Sequence, residues 1–327
     1  MRTMKANHRY YLFILVAICL IIFNTKTCHG FAFQLPKMPW DSSRSSTTSS
    51  SKSPIQANDK ILVFGGTGGV GQLVTRKLRA RENNYNVCVV ARDAVKAREI
   101  LSVSSELGLK GNIDVIELNL VGDNMATDDE LQSAMEGCTG IVISLGTTGK
   151  LHLNLVCLYV LAFASRCTNI CFLHFPAFPT KRWQGGNNPQ AIDQEAVSRI
   201  AKIACDIPTL RRMVLLTSVG VSRTNEFPFL ILNLFGVLDA KRAGEDAVKA
   251  AATSSGFSYS IIRPGRLVGG PYTNLDLAKL FKVEGGASNG VTVESGDTLL
   301  GDCKRDVTAE AVVQCLENTE CNDIECE

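Results

Sequence analysis

The chain is predicted to be an α/β protein built as a Rossmann-type doubly wound parallel sheet. Two observations predict it. Short apolar runs alternate with helix-patterned segments from residue 60 onward, and the first run enters a glycine-rich turn, KILVFGGTGGVGQ at Lys60 to Gln72. Strict alternation of this kind implies parallel strands whose crossover helices cover both faces of one sheet.

The elements follow in order. Ile61 to Phe64 is a buried strand, Val70 to Ala80 a helix, Val87 to Ala91 a strand, and Ala94 to Leu101 a helix. Ile113 to Leu118 is the third strand, Asp128 to Met135 a helix, and Ile141 to Leu145 the fourth strand. The second half continues with a helix over Ala191 to Ala204, a strand over Met213 to Thr217, a helix from Asp239 to Ala252, a strand over Tyr259 to Arg263, and a last helix over Thr308 to Glu317. No internal repeat is present.

The glycine turn carries the chemistry. The chain leaves the first strand and must turn sharply at Gly65, which glycine permits. Gly68 has no Cβ, so a pyrophosphate can approach the main chain, and Gly71 lets the helix pack closely on the strand. A phosphate then sits on the helix N-terminus. The end of the second strand is where an adenosine ribose lands, and there the sequence reads ARDAVKA. A carboxylate would accept from a free 2′-hydroxyl, whereas Arg92 offers a planar cation suited to a 2′-phosphate, with Lys96 one turn further on. The cofactor expected is NADP (NADPH) rather than NAD. A solvated surface arginine is the alternative.

The ends and the charge narrow the classes. With 34 Lys and Arg against 32 Asp and Glu, the net charge of +2 gives no composition argument for nucleic acid, and no nucleic-acid module is present. Residues 1–30 have a basic start, an apolar run from Tyr10 to Phe23 and a small-residue end with Cys28 and Gly30, the pattern of a signal peptide. The run is shorter than the roughly 20 residues a membrane-spanning helix needs. Residues 31–57 begin FAFQLPKMPW and continue Ser/Thr-rich with Arg44 and Lys52, a transit-peptide composition expected to be disordered. The two parts together resemble the bipartite plastid presequence of diatoms and related algae, which implies the chloroplast stroma. An ordinary secreted protein with a disordered linker is the alternative.

Twelve cysteines bear on that choice. Cys19 and Cys28 lie in the leader, and Cys88, Cys138 and Cys205 sit in or beside apolar strand and helix patterns, where a thiol acts as a small hydrophobe. No CxxC pair with metal spacing occurs, so no metal is expected. Cys321 and Cys326, in the tail CNDIEC over 319–327, are read as incidental cysteines of a frayed terminus, with a redox-sensitive pair as the alternative.

Four segments in order, GGTGGVG, LLTSVGV at Leu215 to Val221, KRAGED at Lys241 to Asp246 and YSIIRPGRL at Tyr259 to Leu267, resemble the atypical short-chain dehydrogenases/reductases, in particular NAD(P)H-binding, NmrA-like plastid proteins. The resemblance runs from Asp59 to Glu317 within an NAD(P)-binding domain over 58–318, and it implies a C-terminal region that holds the substrate pocket. By the same resemblance Gly65, Thr67, Gly68, Gly69, Val70 and Gly71 form the pyrophosphate loop and Arg92 selects NADP. Asn119 and Leu120 fall beside adenine, with Asn119 in place of the family's Asp. Leu145, Gly146 and Thr147 lie along the cofactor ribose, and Arg263 and Pro264 close the nicotinamide end.

The reactive centre departs from the family. Its catalytic members carry a YxxxK helix, and here Lys241 is preceded four residues earlier by Val237, which cannot transfer a proton. Lys241 remains able to hold the nicotinamide ribose, and Ser218 to hydrogen-bond a substrate carbonyl. Tyr272, in GGPYTN, is a replacement acid or a packing residue.

Residues 149–176 interrupt an otherwise continuous GTTAFPTKRW with a segment rich in His, Cys, Phe and Leu and lacking acids. Gly149 and Lys150 can be encoded GGT AAG, and Pro176 and Ala177 CCA GCN. Excision between the GT donor and the AG acceptor therefore restores one alanine codon in frame. The segment is read as a retained intron, so cDNA sequenced across the junction is expected to contain transcripts lacking it. Uniform retention would favour the alternative, a membrane-attachment insert. Without it, Phe178 to Trp183 follow the fourth strand, placing Lys181, Arg182 and Trp183 near a flat or anionic ligand.

Two functions result. The first is an NADPH-dependent oxidoreductase of a small plastid metabolite. The second, which the family resemblance implies, is a non-catalytic NADP(H)-sensing scaffold or assembly factor for thylakoid or photosynthetic complexes, with a plastid protein partner and peripheral thylakoid association. An epimerase also needs the missing tyrosine.

Overall fold

A computed structural model describes residues 53–102, 114–147, 186–233, 235–270 and 293–327, all within the compact unit Phe31–Thr147 with Gln184–Glu327. The signal peptide, nearly all of the transit segment, the insertion at 149–176, Lys181, Arg182, Trp183 and Tyr272 lie outside the described residues.

Apolar, β-branched runs make the strands β1 (Lys60–Phe64), β2 (Asn86–Ala91), β3 (Asp114–Glu117), β4 (Gly140–Ile143), β5 (Arg212–Leu216) and β6 (Ser258–Ile262). With a terminal strand, β9 (Ile324–Cys326), they form one seven-stranded sheet in the order β3-β2-β1-β4-β5-β6-β9. Every neighbouring pair in it is parallel. The short strands β7 (Arg266–Val268) and β8 (Asp302–Lys304) pair separately.

Alternation along each strand divides the core into two halves, one per face. Leu62, Phe64, Val90, Ile141, Ile143, Met213, Leu215 and Ile261 join one cluster. It is covered by α3 (Asp128–Met135), α4 (Val197–Ala204) and α6 (Val237–Ser255). Their odd-numbered or even-numbered neighbours, Ile61, Val63, Val89, Val142, Val214 and Ile262, join the other cluster under α1 (Gly69–Ala80) and α7 (Arg305–Glu317). Between β2 and β3 lies α2 (Ala94–Ser102), and α5 (Phe229–Leu232) precedes α6. A π-helical turn, Gln190–Ala196, leads directly into α4.

The predicted fold class holds, and each predicted helix and strand is present with its ends moved by a few residues. Three readings change. The terminus at 319–327 is a short 3₁₀ turn, Thr319–Cys321, followed by β9, whose pairing with β6 aligns Ile262 with Cys326. It pairs because β6 would otherwise present an unpaired edge. The folded part also starts before residue 58, since Ile55 is buried against the β1 and α7 cluster. Finally, α6 begins at Val237 rather than Asp239, after Gly236 in the left-handed conformation.

Register decides where function can sit. Phe64 is level with both Val90 and Ile143, so β1, β2 and β4 end together. The chain order reverses between β1 and β4, and the crevice outside the carboxyl ends at such a switch point is where α/β sheets bind ligands.

Candidate functional site

The carboxyl edge of the sheet gathers nearly all the residues singled out from the sequence. Gly65 to Gly71 follow β1, Arg92 follows β2, Asn119 and Leu120 follow β3, Leu145 to Thr147 follow β4, Ser218 follows β5 and Pro264 follows β6.

The glycine turn is built by close approaches. Gly65 has φ +78°, and a Cβ on it would lie 2.6 Å from the Ser144 carbonyl oxygen. A Cβ on Gly71 would lie 2.1 Å from the Gly65 carbonyl oxygen and 2.7 Å from Ser144 Oγ. That same Gly65 carbonyl accepts the Gly68 N–H at 2.9 Å, which closes the turn. Gly66, which the sequence analysis passed over, is fixed by β2: its Cβ would meet Val89 at 2.6 Å. Thr67 is held through its carbonyl, which accepts from Gln72 Nε2 at 2.8 Å.

The helix behind the turn starts at Gly69, has Gly68 as N-cap with no side-chain cap, and carries no acid in its first turn, while Val70 is buried beneath it. The first backbone N–H groups of a helix have no intrahelical acceptor, and the dipole there favours negative charge. A helix end left without a capping oxygen or a carboxylate fits a phosphate.

Past the carboxyl ends of β2 and β3 opens a cleft of about 490 Å³ lined by Arg92, Glu117, Leu118, Asn119, Val121, Asn124, Ala126, Glu130 and Asn187. Arg92 is exposed and donates from Nη1 to Asn187 Oδ1 at 2.9 Å, across 95 residues of sequence. The two carboxylates already serve helix ends. Glu117 accepts the Ala94 N–H at 3.0 Å, and Glu130 accepts the Thr127 N–H at 2.7 Å in a capping box. Asn119 accepts the Ala126 N–H through its carbonyl at 2.8 Å, holding the cleft wall. Leu120 packs on the core beneath, and Lys96 is exposed on α2, outside the cleft lining.

At the other end of the edge, Lys241 Nζ meets Asp193 Oδ1 at 2.6 Å. Asp193 is buried, and its second oxygen accepts the Thr147 hydroxyl. The π-helical turn delivers Asp193, and Gly244 makes room for it, because a Cβ there would stand 2.4 Å from the Asp193 carbonyl. Sequence reasoning missed Asp193. The only signal was an acid in a helix that faces the lysine-bearing helix, and that facing is visible only in three dimensions. Leu145 packs on the core, and Gly146 is exposed. Val237 opens α6 one turn before Lys241, on the same face. The Ser218 hydroxyl donates to the Val219 carbonyl at 3.1 Å.

Arg263 stands in a buried network of ion pairs. It is buried, and it donates from Nε and Nη2 to the two oxygens of Glu245 at 3.1 and 2.7 Å, from Nη1 to the Gly296 carbonyl at 2.9 Å, and also to Glu325. Burial works against its charge, but Glu245 and Glu325 outweigh it and hold the guanidinium well above its ordinary value. The Thr217 hydroxyl completes the set, donating to Glu245 at 2.6 Å. This arginine braces α6 against β6. Its neighbour Pro264 is buried and accepts the Val219 N–H at 3.1 Å.

A doubly wound parallel sheet with a glycine-built helix end at its switch point defines a Rossmann-type nucleotide-binding protein. Residues 65–319 match the NAD(P)H-binding family, and the chain belongs to it as an atypical short-chain dehydrogenase/reductase. Its curated relatives include the chloroplastic protein TIC 62 of Pisum sativum, 27% identical over 80% of this chain and 41% of the relative. The protein of the same name from Oryza sativa subsp. japonica is 25% identical over 64% of this chain and 35% of the relative. The chain thus spans about two-fifths of the length of the curated relatives it matches. Among solved structures, a putative NAD-dependent epimerase/dehydratase from Bacillus halodurans has a TM-score of 0.51 at 18% identity, covering 82% of this chain and 93% of that one. The oxidoreductase ylbE from Lactococcus lactis has a TM-score of 0.51 at 14% identity, covering 82% and 90%. Both likenesses concern the fold alone.

Proposed function

We propose that this chain is an NADPH-binding plastid protein of the oxidoreductase class that acts on a small metabolite. The observation that carries the reading is the uncapped, acid-free helix end behind Gly65 to Gly71, which suits a dinucleotide pyrophosphate. Arg92, oriented by Asn187 at the lip of the cleft, supports NADP over NAD, because a planar cation matches a 2′-phosphate. When bound, the cofactor supplies a hydride; Lys241, steered by Asp193, and Thr147 lie where its ribose is expected. The bipartite leader and the two relatives named chloroplastic support the plastid.

Arg92→Ala is expected to weaken NADPH binding about tenfold or more, as loss of a charged hydrogen bond costs about 1.5–3 kcal/mol, and to leave NADH binding unchanged. Titration of nicotinamide fluorescence reads both affinities. Equal weakening of the two would remove Arg92 as the selector.

A second reading is favoured by the reactive centre itself. Val237 replaces the proton donor, the Ser218 hydroxyl donates to its neighbour's carbonyl, and Lys241 is paired with a buried carboxylate. An NADP(H)-sensing scaffold for a plastid protein partner at the thylakoid surface needs only the cofactor site. Incubation of the purified protein with NADPH alone and with a panel of carbonyl and quinone compounds separates the two. Substrate-dependent loss of NADPH fluorescence supports the reductase, and tight binding without turnover across the panel supports the scaffold.

A further inference from the structure

The short stretch that leads into α4 touches residues at both ends of the dinucleotide site. At the adenosine end, Asn187 Oδ1 accepts from Arg92 Nη1 at 2.9 Å. Later in the same stretch, Asp193 takes Lys241 Nζ at 2.6 Å and the Thr147 hydroxyl, where the nicotinamide ribose is expected.

Residues 186–196 are braced into one piece between these contacts. Asn188 accepts the Ala191 N–H on Oδ1 at 2.7 Å and the Ile192 N–H on its carbonyl at 3.0 Å, and donates its own N–H to the Gly186 carbonyl at 2.8 Å. These bonds fasten the Asn187 loop to the π-helical turn Gln190–Ala196, which runs without a break into α4. Such turns occur frequently at functional sites, and this one aims a buried carboxylate at Lys241. The piece is also held from outside. Gly186, at φ +75°, lies against Gly122, where a Cβ would stand 3.4 Å from the Gly122 Cα, and the Asp193 carbonyl presses on Gly244 of α6. Arg199 of α4 donates to the Ala126 carbonyl in the cleft wall and pairs with Asp128 at the start of α3.

Arg92 is left with the donors that matter. Its Nε and Nη2 bond no described residue, so the guanidinium keeps an open side of its fork for a phosphate while Nη1 rests on Asn187. An exposed arginine samples many rotamers, and a partner that fixes one of them lowers the entropy lost on binding.

We propose, on the reading that NADP(H) is the ligand, that residues 186–196 form a clasp that senses the 2′-phosphate at one end of the cofactor and sets Lys241 at the other. Asn187 is then a specificity-determining residue. A 2′-phosphate in the fork of Arg92 holds that side chain on Asn187, and the braced stretch carries the restraint to Asp193 and so to Lys241 and Thr147. Without that phosphate Arg92 swings away, and the stretch loses its outer anchor. Ordering by one half of the ligand reduces the ordering that the other half requires, and the coupling is reciprocal. The chain thereby distinguishes NADP(H) from NAD(H) even at the nicotinamide end, where the two dinucleotides are chemically identical.

Hydrogen exchange of the full chain, followed by mass spectrometry, tests this with adenosine 2′,5′-bisphosphate and adenosine 5′-monophosphate, compared at equal protection of the glycine turn at residues 65–71. The bisphosphate is expected to slow exchange about fivefold or more in residues 186–196 and in the first turn of α6, a factor typical of coupled sites, and the monophosphate to change neither. In Asn187→Ala both effects should vanish while the glycine turn stays protected. In Asp193→Asn the effect should persist around Asn187 and be lost in α6. Titration of nicotinamide fluorescence adds the specificity. Asn187→Asp places a carboxylate on Arg92 in competition with the phosphate, and should weaken NADPH about tenfold or more with NADH changed less than about twofold. Protection of the glycine turn by the bisphosphate with no change in residues 186–196 or α6, an equal effect of the monophosphate, effects that survive Asn187→Ala, or equal weakening of NADPH and NADH in Asn187→Asp would overturn the clasp and leave cofactor binding standing. No protection of the glycine turn by either nucleotide would remove the cofactor reading itself, and the clasp with it.

Discussion

Replacing Gly71 by alanine is expected to abolish NADPH binding while the sheet remains folded. The added methyl would stand 2.1 Å from the Gly65 carbonyl oxygen and 2.7 Å from Ser144 Oγ, and the first of these is backbone that cannot swing aside. That carbonyl also accepts the Gly68 N–H, so moving it opens the turn and redirects the helix end. Overpacking of this kind costs about 1–3 kcal/mol of stability. The cost in affinity is larger, because the phosphate cradle consists of backbone groups whose directions are set by the turn. A loss of about a hundredfold or more is expected, since two or three weakened charged hydrogen bonds suffice for it. Fluorescence titration with NADPH, with circular dichroism confirming the fold, reads the outcome. Unchanged affinity in a folded variant would mean that the cofactor is held elsewhere.

The largest loss of stability is expected from Glu245→Ala. Glu245 is 1% exposed and Arg263 4%, and the carboxylate also accepts the Thr217 hydroxyl. Removing one partner of a buried pair leaves the other charge uncompensated, which costs about 3–5 kcal/mol. For a domain of this size that corresponds to a fall in Tm of roughly 10 °C. Glu325 still faces Arg263 and recovers part of the loss, so Glu245→Ala with Glu325→Gln should melt lower than either single variant. Replacing both Glu245 and Arg263 by apolar residues of similar volume should cost less than Glu245→Ala alone. Thermal melts of the set decide it. A Glu245→Ala protein that melts within a degree or two of the parent would show that the pair contributes nothing net.

The alternation of β1, α1 and β2 was legible because each strand is apolar on both faces and each helix keeps its own period. The glycine turn was legible because its demands are local: a residue that must turn and a methyl that must be absent are both written into GGTGGVG. What escaped was set by partners distant in sequence. Arg263 ends a strand next to Pro264 in a motif that reads as cofactor-facing, yet Glu245 on α6 and Glu325 on β9 claim it from both sides. The terminal nine residues look frayed in isolation, and only the open edge of β6 gives them somewhere to pair. Asn187 and Asp193 could not be picked out along the chain, since their roles depend on Arg92 and Lys241 meeting them across the sheet edge.

The bond between Lys241 and Asp193 also bears on how such a chain can drift. A tyrosine one turn before the lysine, at a half-exposed helix start now held by Val237, can be exchanged in one step at little cost to folding. The lysine cannot. Losing it alone strands a buried carboxylate, and losing Asp193 alone strands the ammonium, so either first step is penalised before the second can repair it. The lysine is thus held in place by folding, whatever happens to the chemistry one turn before it. A lysine at this place is accounted for by its buried acidic partner alone, so its presence is not by itself a sign of catalysis.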